Sequence, residues 1–368
     1  MHTELLYRIA LSFVPQIGDI HAKALVNIFG DAQSIFKAKK KDLDHIEGIG
    51  TVRAKAIKDF TGFSIAETEI QFIEKYRITP LFLTDENYPK RLLNCYDCPA
   101  LLYYRGNADL NTSRIISLVG TRNNSDYGKL VTEKFIEDLK GENVLVVSGL
   151  AFGIDTIAHK AALKNNLQTI AVLAHGLDRI YPQQNKTLAR HITEQGGLLT
   201  EFTSNTNPDK QNFPKRNRIV AGLCDAVIVI ESGKKGGSLI TAELGNSYNK
   251  DVFAIPGRST DIKSEGCNYL IKNNKAALID TAADLMDMMG WSARQPQKDA
   301  VKKQRELFIE LSPDEKTVVD ILQQQESTQI DELYFKSGLS SSTVATCLLM
   351  LEMQGVVISL PGKVYKLA

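Results

Sequence analysis

The chain has 368 residues, of which 43% are hydrophobic and 24% charged, and its formal net charge is +1. That length suits two or three domains with at least one sizeable core, and the composition is that of an ordinary globular protein. The near-neutral balance excludes a polycation, so any affinity for nucleic acid has to come from a local patch.

The chain starts Met1-His2-Thr3-Glu4, with no cationic segment ahead of an apolar one. No apolar run is long enough to span a bilayer, so the sequence predicts no membrane partner and a cytoplasmic location. Residues 1–76 read as a small all-α region. Two short segments repeat a pattern there: Val14-Pro15-Gln16-Ile17-Gly18 and Ile46-Glu47-Gly48-Ile49-Gly50, each a glycine turn followed by an apolar helix. They resemble helix-hairpin-helix motifs, whose turn amides face a DNA phosphate. The second copy has Arg53 and Lys55 nearby, and such hairpins also serve as plain packing units.

Residues 77–112 form a bridging segment. Its apolar runs, Ile78 to Leu83 and Leu101 to Tyr104, are candidate strands for the edge of a following sheet. Cys95 and Cys98 make one C-x-x-C, but no second pair lies at a zinc spacing, and five scattered cysteines argue against a disulfide framework. No metal and no cofactor is expected.

From Arg114 the pattern alternates strand and helix, the mark of a parallel α/β sheet. The fold class is therefore α/β: a Rossmann-like, mostly parallel sheet over 77–290, with the helical region before it. Polar and glycine-rich loops follow successive strands: Gly120-Thr121-Arg122, Ser148-Gly149 on to Gly153, His175-Gly176, the basic stretch after Glu201, Gly233 to Gly237-Ser238, and Pro256-Gly257. In an open parallel sheet these loops share one edge, where ligands bind. Glycines there let backbone amides approach phosphate, and arginines can fork onto its oxygens.

The stretch Lys210 to Arg218 is the most pointed of these loops. Phe213 and Pro214 open a helix whose first turn is crowded by Lys215, Arg216, Asn217 and Arg218. Cations at a helix N-terminus oppose its dipole, by roughly 0.3–1 kcal/mol each, which suggests an arriving anion. Basic donors beside an aromatic ring suit a single nucleic-acid strand: charge for phosphate, a flat face for a base. The plainer reading is a solvated basic loop. G-x-G-x-x-G and G-x-x-x-x-G-K-[ST] are both absent, so neither a dinucleotide site nor an ATPase is expected. His159 and His175, each with an acid close in sequence, read as structural residues.

Residues 291–308 are polar and read as a linker. Residues 309–368 give three helical segments and a hairpin, the order of a winged helix. The third segment has no Lys or Arg, which is the wrong charge for entering a DNA groove.

Taken together, V-G-T-R (119–122), S-G-L-A-F-G-I-D (148–155), H-G-L-D-R-I-Y-P-Q-Q-N (175–185), F-P-K-R-N-R-I-V-A-G-L (213–223), G-G-S-L-I-T-A (236–242) and F-A-I-P-G (253–257) resemble the DprA/Smf family of bacterial DNA-processing proteins. N-Y-P-K-R-L (87–92) and C-P-A-L-L-Y-Y-R-G (98–106) extend the match over nearly the whole chain. The resemblance implies a non-enzymatic protein that binds single-stranded DNA taken up in natural transformation, shields it and loads the recombinase RecA onto it. It also implies a homodimer formed through the Rossmann-like domain. The DNA-binding set carried over is Gly120, Arg122, Ser148, Gly149, Gly153, Lys210, Phe213, Lys215, Arg216, Asn217, Arg218, Gly237 and Ser238. Lys234 and Lys235 depart from the family pattern. The rival reading is a nucleotide phosphoribohydrolase, with Glu231 or Glu243 as acid or base and the arginines on phosphate.

Overall fold

The computed structural model describes residues 2–292 and 311–368, so most of the expected linker, from residue 293 to 308, lies outside the described residues. The chain separates into two compact units, Met1–Leu278 and Ile279–Ala368.

The first unit opens with six helices: α1 (His2–Phe13), α2 (Asp19–Phe29), α3 (Ala32–Lys37), α4 (Lys40–Asp44), α5 (Gly50–Lys58) and α6 (Phe63–Tyr76). The two expected hairpin turns are present, with Gln16 at φ 65° and Gly48 at φ 80°. Arg53 lies between them: Nε donates to the Gln16 carbonyl at 3.1 Å and Nη1 to the Gly48 carbonyl at 2.9 Å. Two of its donors staple one turn to the other, which favours the packing reading of the repeat.

The bridge supplies β1 (Thr79–Phe82), α7 (Lys90–Leu93) and β2 (Leu101–Gly106). The alternating region follows as β3 (Ile115–Val119), α8 (Asp126–Asp138), β4 (Leu145–Ser148), α9 (Ile154–Lys164), β5 (Thr169–Val172), α10 (Lys186–Glu194), β6 (Gly196–Thr200), α11 (Asn212–Gly222), β7 (Ala226–Val229), α12 (Gly237–Ser247), β8 (Asp251–Ala254), α13 (Glu265–Lys272) and β9 (Ala277–Leu278). These strands form one sheet in the order β1-β2-β6-β5-β4-β3-β7-β8-β9. The bridge strands add antiparallel at one edge, β2 on β6 with Tyr103 opposite Thr200, and the strands from β6 to β9 are mutually parallel. All five residues of β3 are buried, as expected of a central parallel strand covered on both faces. The chain winds one way from β3 through β4 and β5 to β6, and the other way through β7 and β8. The loops after β3 and β7 therefore flank the point where strand order reverses, the usual place for a ligand crevice.

A large hydrophobic core runs from Ile9, Leu25 and Ile57 of the helical region, through Leu102 of β2, to Val147, Ile170 and Val227 of the sheet, and a smaller one gathers Leu173, Leu188, Ile192 and Leu198. Polar contacts also tie the helices down. Asp19 accepts the Ala100 amide at 3.0 Å, and Glu69 accepts the Ser204 amide at 2.9 Å and its hydroxyl at 2.6 Å.

The second unit contains α14 (Ala282–Met288), α15 (Pro313–Leu322), β10 (Thr328–Gln329), α16 (Ile330–Ser337), α17 (Ser341–Met353), β11 (Val357–Leu360) and β12 (Val364–Leu367). Ser312 and Glu315 form a capping box with Pro313 in the first turn, the arrangement that starts a helix sharply. Three antiparallel strands in the order β10-β12-β11 complete a winged helix around Val318, Leu333, Val344, Leu348 and Val357. No helix among the described residues is long and apolar enough to cross a membrane.

Candidate nucleic-acid interface

Six loops at the carboxyl ends of β3 to β8 enclose a basin of about 980 Å³. Gly120 and Arg122 come from the loop after β3, Gly149 and Asp155 from the segment after β4, and Tyr181 from the loop after β5. Lys210, Phe213, Arg216 and Asn217 follow β6, Lys235, Gly237 and Ser238 follow β7, and Lys263 follows β8. Five cations line it (Arg122, Lys210, Arg216, Lys235 and Lys263) against one carboxylate, Asp155. Of the thirteen site residues expected from sequence, nine reach this lining: Gly120, Arg122, Gly149, Lys210, Phe213, Arg216, Asn217, Gly237 and Ser238.

Phe213 is half-buried in the first turn of α11. The exposed Arg122 lays its guanidinium over the ring, Cζ 5.1 Å from the centroid, and the exposed ring of Tyr181 meets it edge-on at 6.1 Å. A cation over an aromatic face is held by the ring quadrupole. A flat guanidinium beside two rings also offers stacking surface to a base. A small cavity of about 30 Å³ opens next to this cluster, walled by Leu150, Leu173, Phe213 and Tyr181. Tyr181 was absent from the expected set. Its sequence signal was its place beside Pro182 in the loop after the third parallel strand.

Arg216 forms part of the basin wall and floor. It is only 6% exposed, and its Nη1 donates to the Val172 carbonyl at 2.5 Å. Burial lowers its pKa, Asp155 opposes that shift, and the neighbouring charge of Arg122 adds to it. The carboxyl of Asp155 is raised by burial, against the pull of Arg216 and of the Ala151 amide. Both side chains crowd onto Gly149: a Cβ there would stand 2.3 Å from Arg216 Nη1 and 2.4 Å from Asp155 Oδ2. Gly149 is therefore required by its neighbours' approach. Arg216 acts as a fixed charge beneath the basin, where an exposed fork was expected. Asn217 Nδ2 reaches the Gly237 carbonyl at 3.4 Å, linking the two sides of the crevice.

Four expected residues lie outside the lining. Arg218 corrects the sequence reading most sharply: it points away from the basin and binds the Asp19 carboxylate at 2.9 Å, the Glu201 carboxylate and the Asp97 carbonyl. Its charge is consumed internally, holding the helical region against the sheet. The hydroxyl of Ser148 is fully buried and donates to the Leu118 carbonyl at 2.6 Å, so its one donor is spent inside the sheet. Gly153 sits at φ 77°, and a Cβ would fall 2.2 Å from the Thr121 carbonyl oxygen; it seats the loop that carries Arg122. Lys215 is exposed on a neighbouring face of α11.

The carboxylates of the enzyme reading are employed elsewhere. Glu231 caps α8, accepting the Ser125 amide at 2.9 Å and its hydroxyl at 2.6 Å, and Glu243 pairs with Lys275 at 3.2 Å. Neither lines the basin. His159 is buried between the Gly149 carbonyl and Thr169, and burial brings its pKa down to about 4. His175 is likewise lowered by burial and accepts the Tyr181 amide at 3.2 Å, which fixes that loop. Among the described residues no cluster of three or more His, Cys, Asp or Glu could hold a metal ion.

Residues 79–290 match the family of DNA recombination-mediator protein A, residues 304–363 the DprA winged helix domain, and residues 8–66 the helix-hairpin-helix motif. The chain is 34% identical over 397 residues to Protein Smf of Synechocystis, with 99% of each chain covered. It is 33% identical over 340 residues to Protein Smf of Escherichia coli, covering 88% of each. The solved structure of DNA processing protein A from Streptococcus pneumoniae superposes with a TM-score of 0.66 at 35% identity, covering 76% of this chain and 95% of that one. A structure from Helicobacter pylori, described by the single-stranded DNA binding mode of its DNA processing protein A, gives 0.53 at 32% identity, covering 58% and 96%.

Proposed function

Because the chain belongs to the family of DNA recombination-mediator protein A, the DprA/Smf proteins, we propose that it binds single-stranded DNA in the rim basin and passes it to RecA. The observation that carries this reading is the pairing of Arg122 with Phe213 inside a lining of five cations and one carboxylate. Charge attracts phosphate from every sequence alike, and stacking accepts any base. The bound strand is shielded where it lies in the crevice. RecA loading, a role in natural transformation and a homodimer through the Rossmann-like region belong to the same proposal. They rest on family membership.

The test is a fluorescence-anisotropy titration of labelled single- and double-stranded oligonucleotides across a salt series. Tighter binding of the single strand is expected. Arg122→Ala should flatten the slope of log K against log salt by about 0.7, one phosphate's worth. Phe213→Ala should cost roughly 1–3 kcal/mol while leaving the slope unchanged. Equal affinity for both forms of DNA, with Arg122→Ala and Phe213→Ala indistinguishable from wild type, would refute the proposal.

A further inference from the structure

We propose that the far end of the basin is a second phosphate subsite, built on Lys235 and Lys263, which takes the backbone of the strand beyond the base held at Phe213. This rests on the single-strand reading and adds to it a course for the polymer.

The basin has two chemically different ends. Arg122, Tyr181 and Phe213 belong to loops after β3, β5 and β6, whereas Lys235 and Lys263 belong to loops after β7 and β8, across the switch point. Four strand spacings separate β5 from β8, which is about 19 Å along the rim. A nucleotide stacked at Tyr181 and Phe213 leaves the loop after β8, at the far end of that span, to the following residues of a strand, which offers a phosphate every few ångströms. The lysine end has no aromatic ring in its lining, only glycines, serines, Thr241, Ile240 and Ile262. Cations without a stacking face select phosphate over base.

The two ammonium groups are available and are brought together by the backbone. Among the described residues neither has a carboxylate partner. Asp261, two residues before Lys263, is spent on the Lys263 amide at 3.0 Å and the Ser264 hydroxyl at 3.3 Å, and Glu265, two residues after it, forms no ion pair with it. The loop carrying Lys235 is seated on the start of α13: the Gly266 amide donates to the Ser232 carbonyl at 2.7 Å. A Cβ at Gly266 would stand 2.5 Å from the Gly233 carbonyl oxygen. Ser238 donates to Ser232 at 2.8 Å and closes the loop from its other side. Lys235 and Lys263 thus sit on two segments that are pinned to each other.

The experiment compares the thymidine dinucleotide with an oligothymidylate of about sixteen nucleotides, each competed against a labelled strand on the full chain. For the double variant Lys235→Ala/Lys263→Ala, binding of the long oligomer should weaken about tenfold, and its salt slope should fall by about 1.4. Binding of the dinucleotide should not change, while Phe213→Ala should weaken both ligands. A double variant that matches wild type on the long oligomer overturns the subsite alone, and so does one that weakens both ligands equally. A wild-type chain that binds neither oligomer overturns the single-strand reading and the subsite with it.

Discussion

Replacing Arg218 with alanine should damage the fold and spare the DNA chemistry. Arg218 is 11% exposed and Glu201 10%, so their ion pair is nearly dry, whereas Asp19, at 34%, remains partly solvated. Removing one partner of a buried pair costs about 3–5 kcal/mol, because the charge left behind is uncompensated. Here Glu201 is left with one oxygen, Oε1, that already has no partner among the described residues. Its carboxyl is raised by burial to about 7, so after the substitution it can take up a proton instead of standing charged. Asp19 can turn to water. Both considerations place the expected loss near the low end, about 3 kcal/mol. Urea denaturation of Arg218→Ala against wild type reads this as a lower midpoint. An anisotropy series on the same samples under folding conditions should show the wild-type salt slope. If the midpoint is unmoved and the slope falls by a phosphate's worth, Arg218 meets DNA and the internal role is wrong.

Gly149→Ala should displace Arg216 and Asp155 together: overpacking of this kind costs about 1–3 kcal/mol, and single-strand affinity should drop although no ligand-facing side chain was removed; wild-type affinity in a titration would show that the floor charge is not needed. Glu201 should also give stability a pH dependence. Its folded pKa is raised to about 7 by burial, above an ordinary value of 4.5, so the folded chain keeps a proton that the unfolded chain has released, and this group's contribution falls as pH climbs from 4.5 through 7. Urea midpoints of Glu201→Gln measured across that window should decline less than those of wild type, and parallel profiles would remove the assignment.

Much of the scaffold was legible because central parallel strands read as nearly continuous apolar runs. Ile115 to Val119 and Ala226 to Val229 are buried throughout, and the loops after them carry the glycines that a ligand-bearing rim requires. The bridge strands could be placed at the sheet edge for the same reason. The helix α13 was missed because its signal is short: Cys267 and Leu270 are buried three residues apart between polar neighbours. Lys263 was missed with it, since nothing local says that the loop after β8 turns back toward the crevice. Tyr181 lay in a loop already expected at the rim, but its contact with Phe213 joins residues distant in sequence, which composition cannot supply. Ser148 was misread because a serine ending a strand resembles a ligand donor until its carbonyl partner, on the neighbouring strand, is known.

The basic motif on α11 could have been divided from sequence alone. Composition says that Lys215, Arg216 and Arg218 are all cations in one turn, and treats them as one patch. Helix geometry does not: residues three, four and seven apart share a face, while residues two apart point to nearly opposite sides. Phe213, Arg216, Asn217 and Val220 follow that spacing, and all four line the basin. Arg218, two residues beyond Arg216, has to leave on the other side, where Asp19 and Glu201 receive it. The same helix therefore faces the crevice with one arginine and anchors the helical region with the next. A charge count overestimates the phosphate-binding power of this motif, and helical phase corrects it. By the same logic the basin needs cations from other loops, and Arg122, Lys210, Lys235 and Lys263 are the ones that surround it.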